Sequence, residues 1–435
     1  MMSSRFRRWL RHLFPLMLLT VGSAYALASW NWCGRWSERT PVVREQARAE
    51  GPLRAGAAKV PLAPPYPVVV AGYGPPRPEA SQADTPPQAR AVVLATGDMK
   101  VGLVSLELLL VPDELVAAVR ERAAGLGLQH VVVVATHAHS SFGGYDPRLV
   151  SQLVGTGRFR KAAMEAVVAG ATEALRQSVE RLADVTLEVG EAKEPGLVRS
   201  RSGGEAPDGA LTRAVLRGAQ GPVAELLVFA AHPTVVPRKQ AFVDPDWPGR
   251  LSQLREELSG VSLVMQGAAG NVSVDFNEGE GVEKAQGYAR AVAGLAERAE
   301  PVVAGSQRLA FARVEVALPR PDASRLVPSY SRAAGDNFLC ASSSRTAEVG
   351  ALTLGPLELL MLPGEPTVGA GEALVRRTGA TGVLGLADGY VGYVETPERV
   401  EAGEGESRRQ YFGPALLERL ATGADEAARA AGFTR

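Results

Sequence analysis

The stretch that most constrains this chain is residues 130–145, HVVVVATHAHSSFGGY. It begins with a run of β-branched residues, Val131–Val134, which predicts a buried strand. His137 and His139 follow, and alternate residues of an extended chain point the same way, so both imidazoles are expected at one site past the strand. A third histidine, His232, ends a similar apolar run. A lone buried histidine is usually structural, but two strand ends that each deliver imidazole indicate a metal site.

Strand patterns alternate with helix patterns along the 435 residues, of which 46% are hydrophobic. This alternation predicts the α/β class, with mixed central β-sheets flanked by helices. No internal repeat or strong linker divides residues 57–435, so one domain is expected there, after a polar spacer over residues 34–56. Basic and acidic residues balance at 47 each, so the charge gives no indication of nucleic-acid binding.

The N-terminus has the pattern of an exported protein, because four arginines within residues 5–11 precede a long apolar run. Ala24–Ala26 offers a small-x-small cleavage site, but the apolar run is also almost long enough to span a bilayer. Residues 1–33 are therefore expected to be either a signal peptide or a membrane anchor, with the body periplasmic or extracellular. Whether Cys33 and Cys340 pair in such an oxidising compartment stays open.

Further polar residues follow other apolar runs: Ser273 in a small-residue loop, Glu365 after a glycine, and Tyr390 with Tyr393. Each has an ordinary structural interpretation alone, namely a turn serine, a residue at a helix N-terminus and packing tyrosines. No GxSxG elbow surrounds Ser273, so a serine-hydrolase triad is not indicated. The sequence also lacks HExxH and a phosphate-binding glycine loop.

Taken together, six segments resemble, in the same order, motifs of the neutral (non-lysosomal) ceramidase family. ATHAHSSFGGY and FAAHPT are similar to the family's THTHSGPxGY and its apolar-His-Pro stretch. GNVSV resembles GDVSP, and the most specific match is LPGEPTVGAGEALVR, which resembles LPGEFTTxxGxxLR. LADGYVGYVETPERV and FGP resemble NxYxxYxTTxEEY and YGP. The resemblance implies a ceramidase-like catalytic domain over residues 57–435.

What the resemblance implies is a zinc amidase with one zinc ion per chain. His137, His232, Glu365 and Tyr393 fall on the family's zinc ligands. His139 falls on the second histidine of its motif, beside the metal.

Three further positions carry over from the resemblance. Ser273 falls on the serine regarded in the family as the nucleophile, and Arg201, or else Arg199, on its active-site arginine. Zinc can polarise an amide carbonyl, and Arg201 or His139 can stabilise the oxyanion. Whether Ser273 attacks directly or only orients a water stays open.

The chain departs from the family at the substrate end. Asn271, two residues before Ser273, replaces an acid of the family motif. Ser200 stands where the family has an asparagine, and Gly405 stands where it has a tyrosine. Tyr411 is nearby but not aligned. The immunoglobulin-like domain of classical ceramidases is not expected here.

The resulting hypothesis is an exported zinc-dependent amidohydrolase that cleaves ceramide or a related N-acyl lipid, acts at a membrane surface and binds no nucleic acid. One alternative is a zinc-containing binding protein that has lost catalysis, which Gly405 and the altered serine loop favour. The other is a hydrolase of a non-lipid amide or ester.

Overall fold

The computed structural model describes residues 4–30, 33–34, 36, 39–305 and 307–434. Its α-helices are α1 (Ser4–Ser29), α2 (Asp113–Ala123), α3 (Leu149–Val154), α4 (Lys161–Glu180), α5 (Asp246–Ser259), α6 (Gly281–Arg298), α7 (Arg332–Ser342), α8 (Val368–Thr378), α9 (Pro397–Ala402) and α10 (Ala415–Ala431). Short 3-10 turns occur at Ala124–Leu126, Pro195–Leu197, Ala323–Arg325, Ser329–Ser331 and Ser407–Arg409.

The strands are β1 (Val42–Ala49), β2 (Leu53–Pro61), β3 (Val68–Val69), β4 (Glu79–Ala80), β5 (Gln88–Thr96), β6 (Met99–Leu106), β7 (His130–Ala135), β8 (Ala183–Lys193), β9 (Val198–Ser200), β10 (Ala210–Gly218), β11 (Gly221–Phe229), β12 (Val261–Gln266), β13 (Val272–Val274), β14 (Val302–Val303), β15 (Leu309–Ala317), β16 (Thr346–Leu354), β17 (Leu357–Met361), β18 (Glu365–Pro366), β19 (Gly382–Leu384) and β20 (Tyr393–Val394).

Two mixed sheets form the centre of the molecule, as the alternating pattern predicts. The larger sheet has the strand order β12-β11-β10-β8-β2-β5-β6-β7, with β14 beside β8, and the smaller has the order β1-β15-β16-β17-β19. Pairing is parallel between β6 and β7, β11 and β12, and β17 and β19, and antiparallel between the other neighbours in these two sheets. The expected α/β class with mixed sheets is confirmed.

The two sheets pack face to face. Leu94 and Leu103 of the larger sheet share one buried apolar cluster with Phe311 and Leu352 of the smaller sheet. Helices cover the outer faces: α2 and α4 on one part of the larger sheet, α5 and α6 on another, and α8 and α10 on the smaller sheet. The molecule therefore has helix, sheet, sheet and helix layers, which leave the strand ends free for a site.

The N-terminal region differs from the expected spacer. Within residues 34–56, strand β1 pairs with β15 from Val42 to Ala49, because its backbone completes the edge of the smaller sheet. Among the described residues, no helix has both the length and the apolar character needed to cross a membrane. Residues 1–3 and 31–32 of the expected signal or anchor segment lie outside the described residues.

Candidate metal centre

His137 and His139 lie on the segment that leaves β7, and their imidazole centroids are 4.6 Å apart in an edge-on arrangement. The sequence suggested that the two rings meet because side chains alternate along an extended strand, but the backbone is not extended here. The strand ends at Ala135, and His137 has a φ of +71°, in the left-handed region that non-glycine residues seldom adopt. The backbone therefore turns here, and the expected proximity does not come from strand alternation.

His232 follows strand β11, which pairs parallel with β12, and brings the third imidazole. Its Nε2 lies 3.1 Å from Nε2 of His137, which in turn lies 3.2 Å from Nε2 of His139. All three rings are buried or nearly so, and these histidines form a group that can hold a metal ion.

Glu365 and Tyr393 complete the set from a separate two-stranded sheet, formed by β18 and β20. They are direct partners in the short parallel pairing of β18 with β20. One carboxylate oxygen of Glu365, Oε2, lies 3.1 Å from Nε2 of His137 and 3.2 Å from Nε2 of His232. The hydroxyl of Tyr393 lies 3.3 Å from Nε2 of His232.

The chemistry of these donor atoms fits a cation. Nδ1 of His137 lies 2.7 Å from the carbonyl of Leu109, and Nδ1 of His232 lies 2.8 Å from that of Ala269. A carbonyl only accepts hydrogen bonds, so each Nδ1 carries the proton and each Nε2 presents a lone pair to the centre. The Oε2 atom of Glu365 is buried there without a hydrogen-bond partner.

The spacing of the donors fits zinc as well. Zinc ligands at bonds of about 2.0–2.1 Å in a tetrahedral arrangement lie about 3.3 Å from one another. The separations among His137, His232, Glu365 and Tyr393 that are given above match that value closely.

Burial and neighbouring charges set the protonation of these groups. Burial, followed by the effect of the other two imidazoles, lowers the pKa of His139 well below its usual value. Burial also lowers the pKa of His232 to about 4. For Glu365, burial raises the pKa, but His137 and His232 more than offset it and hold the pKa well below its usual range. Neutral imidazoles beside an ionised carboxylate are the forms that bind metal.

Arg201 reaches this centre, whereas Arg199 is exposed on β9. One terminal nitrogen of the Arg201 guanidinium donates to the Tyr393 hydroxyl at 2.9 Å and to the carbonyl of Gly270 at 2.7 Å. Its Nε donates to Glu406 at 2.9 Å. The structure therefore brings Arg201 to the donors and leaves Arg199 away from them.

Ser273 lies on β13 next to His232, with which it forms an isolated parallel bridge. The backbone N–H of His232 donates to the carbonyl of Val272 at 3.0 Å. Ser273 is thus adjacent to the metal donors through the backbone, although it is absent from the described residues that line the adjoining cleft.

Sequence reasoning gave no role to Tyr390, which the structure places against Glu365. Its hydroxyl donates to Oε1 of Glu365 at 2.5 Å, which leaves Oε2 directed at the imidazoles. The sequence did contain a signal for a role of Tyr390 at this site, because Tyr390 is the first tyrosine of the YVGY segment that also carries Tyr393.

A tyrosine side chain at position 405 would be strained in this backbone and would require the Glu395 side chain to move. Gly405 has a φ of +60°, and a Cβ there would stand 2.1 Å from a carboxylate oxygen of Glu395. Tyr411 instead lines the cleft and contacts the ring of Phe412.

A cleft of about 880 Å³ opens onto the donors. His137, His139, Glu365 and Tyr393 lie in its lining. The lining also includes apolar side chains, contributed by α3, the segment of residues 318–344, and other parts of the chain: Leu109, Leu110, Val150, Val154, Leu318, Ala323, Leu326, Val327, Phe338, Leu339 and Val391. We call residues 318–344 the apolar wall.

Cys33 and Cys340 form a disulfide, with their Cα atoms 5.1 Å apart. The sequence left this pairing open. Cys340 lies on α7, next to Phe338 and Leu339 in the apolar wall, so the bridge ties the N-terminal segment to the cleft.

Buried imidazoles, a carboxylate and a phenol at the strand ends of two mixed sheets define an α/β protein with a candidate metal centre. Residues 63–203 match the family model described as neutral/alkaline non-lysosomal ceramidase, N-terminal. This match covers about a third of the chain and supports, over those residues, the resemblance that ATHAHSSFGGY indicated.

The fold is also that of solved ceramidases. The crystal structure of a neutral ceramidase from Pseudomonas aeruginosa aligns with a TM-score of 0.74 and 20% identity, over 87% of this chain and 74% of that one. A ceramidase complexed with C2 aligns with a TM-score of 0.72 and 19% identity, over 87% and 75%. No curated protein sequence matches the chain significantly.

Proposed function

We propose that this chain is a zinc-dependent amidohydrolase that cleaves the amide bond of ceramide or a related N-acyl lipid. The observation that carries the proposal is the cleft, whose lining combines a set of metal donors with an apolar wall. An N-acyl lipid presents the matching pair of features, a polar amide and a hydrocarbon chain. Each CH₂ group buried in such a cleft stabilises binding by about 0.8 kcal/mol.

His137, His232, Glu365 and Tyr393 hold one zinc ion in this proposal. When bound, zinc acts as a Lewis acid that polarises the amide carbonyl and favours deprotonation of the attacking group. Tyr390 keeps Glu365 oriented through its hydrogen bond.

The other residues of the site transfer the proton, stabilise the developing charge and provide the nucleophile. Attack of an oxygen nucleophile on the carbonyl carbon forms a C–O bond, and loss of the amine breaks the C–N bond. Neutral His139 takes the proton from the nucleophile and returns it to the leaving nitrogen. Arg201 stabilises the oxyanion. Ser273 either orients the attacking water or is itself acylated, in which case a water then hydrolyses the acyl ester and releases the fatty acid.

The hydrolase domain of this proposal spans residues 57–435 and takes strand β1 into its smaller sheet. We also infer export to the periplasm or the extracellular space. The basic-then-apolar N-terminus supports export, and so does the disulfide, because disulfides persist in oxidising compartments. Cys33 lies after the Ala24–Ala26 cleavage site, so a processed chain would keep the bridge.

A membrane surface is the partner that suits the mouth of the cleft. Val154, Leu326 and Phe338 line the cleft and are also 63%, 43% and 38% exposed. Apolar side chains that are partly in the cleft and partly in solvent suit a substrate drawn from a lipid surface.

The test is release of free fatty acid from ceramide by zinc-loaded protein, compared with Ser273→Ala and with Ser329→Ala, which alters an exposed serine of the apolar wall. We expect release by the wild type and by Ser329→Ala, and a fall of about 100-fold or more in Ser273→Ala. Hydrolysis of water-soluble amides or esters alone would indicate a non-lipid hydrolase.

Gly405 favours one other function, a zinc-containing binding protein without catalysis, because the family tyrosine is missing and its side chain would be strained at this φ of +60°. Tight zinc and lipid binding with no hydrolysis of any amide would support that function and refute the proposed one.

A further inference from the structure

Two guanidinium groups flank the Tyr393 ring beside the metal donors. The Cζ atoms of Arg201 and Arg409 lie 5.5 Å and 5.9 Å from its ring centroid. The hydroxyl of the same ring lies 3.3 Å from Nε2 of His232. The reacting end of the cleft is therefore bordered by arginines as well as by metal donors.

The carboxylates around this end do not balance those arginines. One carboxylate, Glu406, is shared between Arg201, at 2.9 Å, and Arg409, at 3.2 Å. Arg408 also lines the cleft and forms no ion pair with any residue that the structure describes. Arg148, by contrast, is compensated by the buried Asp146 at 2.7 Å.

The lining supplies little negative charge of its own. Glu365 is the one carboxylate among the described residues that line the cleft, and it faces the imidazoles. A divalent cation at the centre would add further positive charge. A cleft lined by one sign of charge concentrates ligands of the opposite sign.

We propose that the amine side of the substrate carries an anionic group, so that the substrates are long-chain N-acyl amino acids, whose carboxylate binds Arg408 and Arg409. This inference rests on the proposed amidohydrolase function and names its substrate class. A carboxylate suits the planar guanidinium, which can donate two parallel hydrogen bonds to it. A ceramide headgroup has hydroxyls but no charge to match these arginines. Hydrolysis adds one water, breaks the C–N bond and yields a fatty acid and an amino acid.

The experiment compares N-palmitoylglycine with its methyl ester, which has the same chain and amide but no negative charge. Binding to the zinc-loaded full chain and hydrolysis are both measured for the wild type and for Arg408→Gln/Arg409→Gln. The matched control is Arg176→Gln/Arg429→Gln, which removes two exposed guanidiniums on α4 and α10.

We expect the acid to bind about tenfold or more tightly than the ester to the wild type and the control. That preference should disappear in Arg408→Gln/Arg409→Gln and weaken with salt. Equal binding of the acid and the ester to the wild type would overturn the inference. A preference that survives in Arg408→Gln/Arg409→Gln would also overturn it, because the carboxylate would then be bound elsewhere, for instance by the metal.

Hydrolysis separates this inference from the proposed function. Turnover of the ester or of ceramide without a preference for the acid would keep the amidohydrolase and reject the anionic substrate. An arginine-dependent preference in binding without turnover of any amide would keep the anionic ligand and reject the amidohydrolase.

Discussion

At the candidate metal centre, the imidazoles of His137 and His232 are each held by a backbone carbonyl just past the end of a buried strand. The apolar wall is held very differently. Its longest element is the 11-residue helix α7, and its attachments include the disulfide to Cys33 and a hydrogen bond of 2.6 Å from the Trp36 indole to the Leu318 carbonyl. The donors are thus fixed by the sheets, whereas the wall against which a hydrocarbon chain would lie is tied to the N-terminal segment.

This difference implies that metal binding and acyl-chain-length preference can be changed separately. Alterations at the strand ends should act on metal binding, and alterations at residues 33, 36 or 318–344 should act on chain-length preference.

The largest effect is expected from loss of a donor. His232→Ala should lower zinc affinity by about 100-fold or more, because even loss of a group that only supports a ligand costs roughly 10–100-fold. Competition with a chelator measures it. His130→Gln is the control, since His130 pairs with Glu45 at 2.7 Å outside the metal centre. Unchanged zinc affinity in His232→Ala would refute the ligand set.

Loss of the support for Glu365 should have the next largest effect. Tyr390→Phe removes the hydrogen bond of 2.5 Å to Oε1, so zinc affinity should fall roughly 10–100-fold while the fold is retained. Tyr411→Phe removes a phenol from the same cleft and should leave zinc affinity unchanged. Equal affinities in the two variants would show that Tyr390 does not position the ligand.

The metal-free protein should lose stability as the pH is lowered. His232 has a pKa of about 4 in the folded protein, against about 6.5 in the unfolded chain, so below pH 6.5 the unfolded state takes up the proton first. The contribution of His232 should therefore lower the free energy of unfolding by about 1–3 kcal/mol between pH 6.5 and pH 4. Below pH 4 this contribution should stay constant. Denaturant titrations of the wild type and His232→Gln measure it, and an identical pH slope in both would contradict the assignment.

The smallest effect is expected at the apolar wall. Cys340→Ser should lower kcat/KM for long acyl chains by up to about tenfold, the equivalent of roughly two buried CH₂ groups, and leave short chains and zinc affinity unaffected. Cys33→Ser should reproduce this result, because it breaks the same bridge. If zinc affinity fell as well, the metal donors and the apolar wall would not be independent.

The sequence by itself indicated which side chains could bind a metal and roughly where the strands lie. The β-branched run before His137 predicts a buried strand, and β7 forms there over His130–Ala135. The six motifs indicated the family, and the hydrophobic periodicity indicated mixed sheets with helices. These properties are local, so a linear pattern can carry them.

Only the tertiary structure decided how those residues meet. The left-handed turn at His137, the choice of Arg201 over Arg199 and the contact of Tyr390 with Glu365 depend on segments far apart in the chain. The same holds for the Cys33–Cys340 bridge, which joins residues 307 positions apart, and for β1, whose place depends on a free edge at β15. Sequence periodicity reports which face of an element is buried, but it carries no information about which distant partner that face meets.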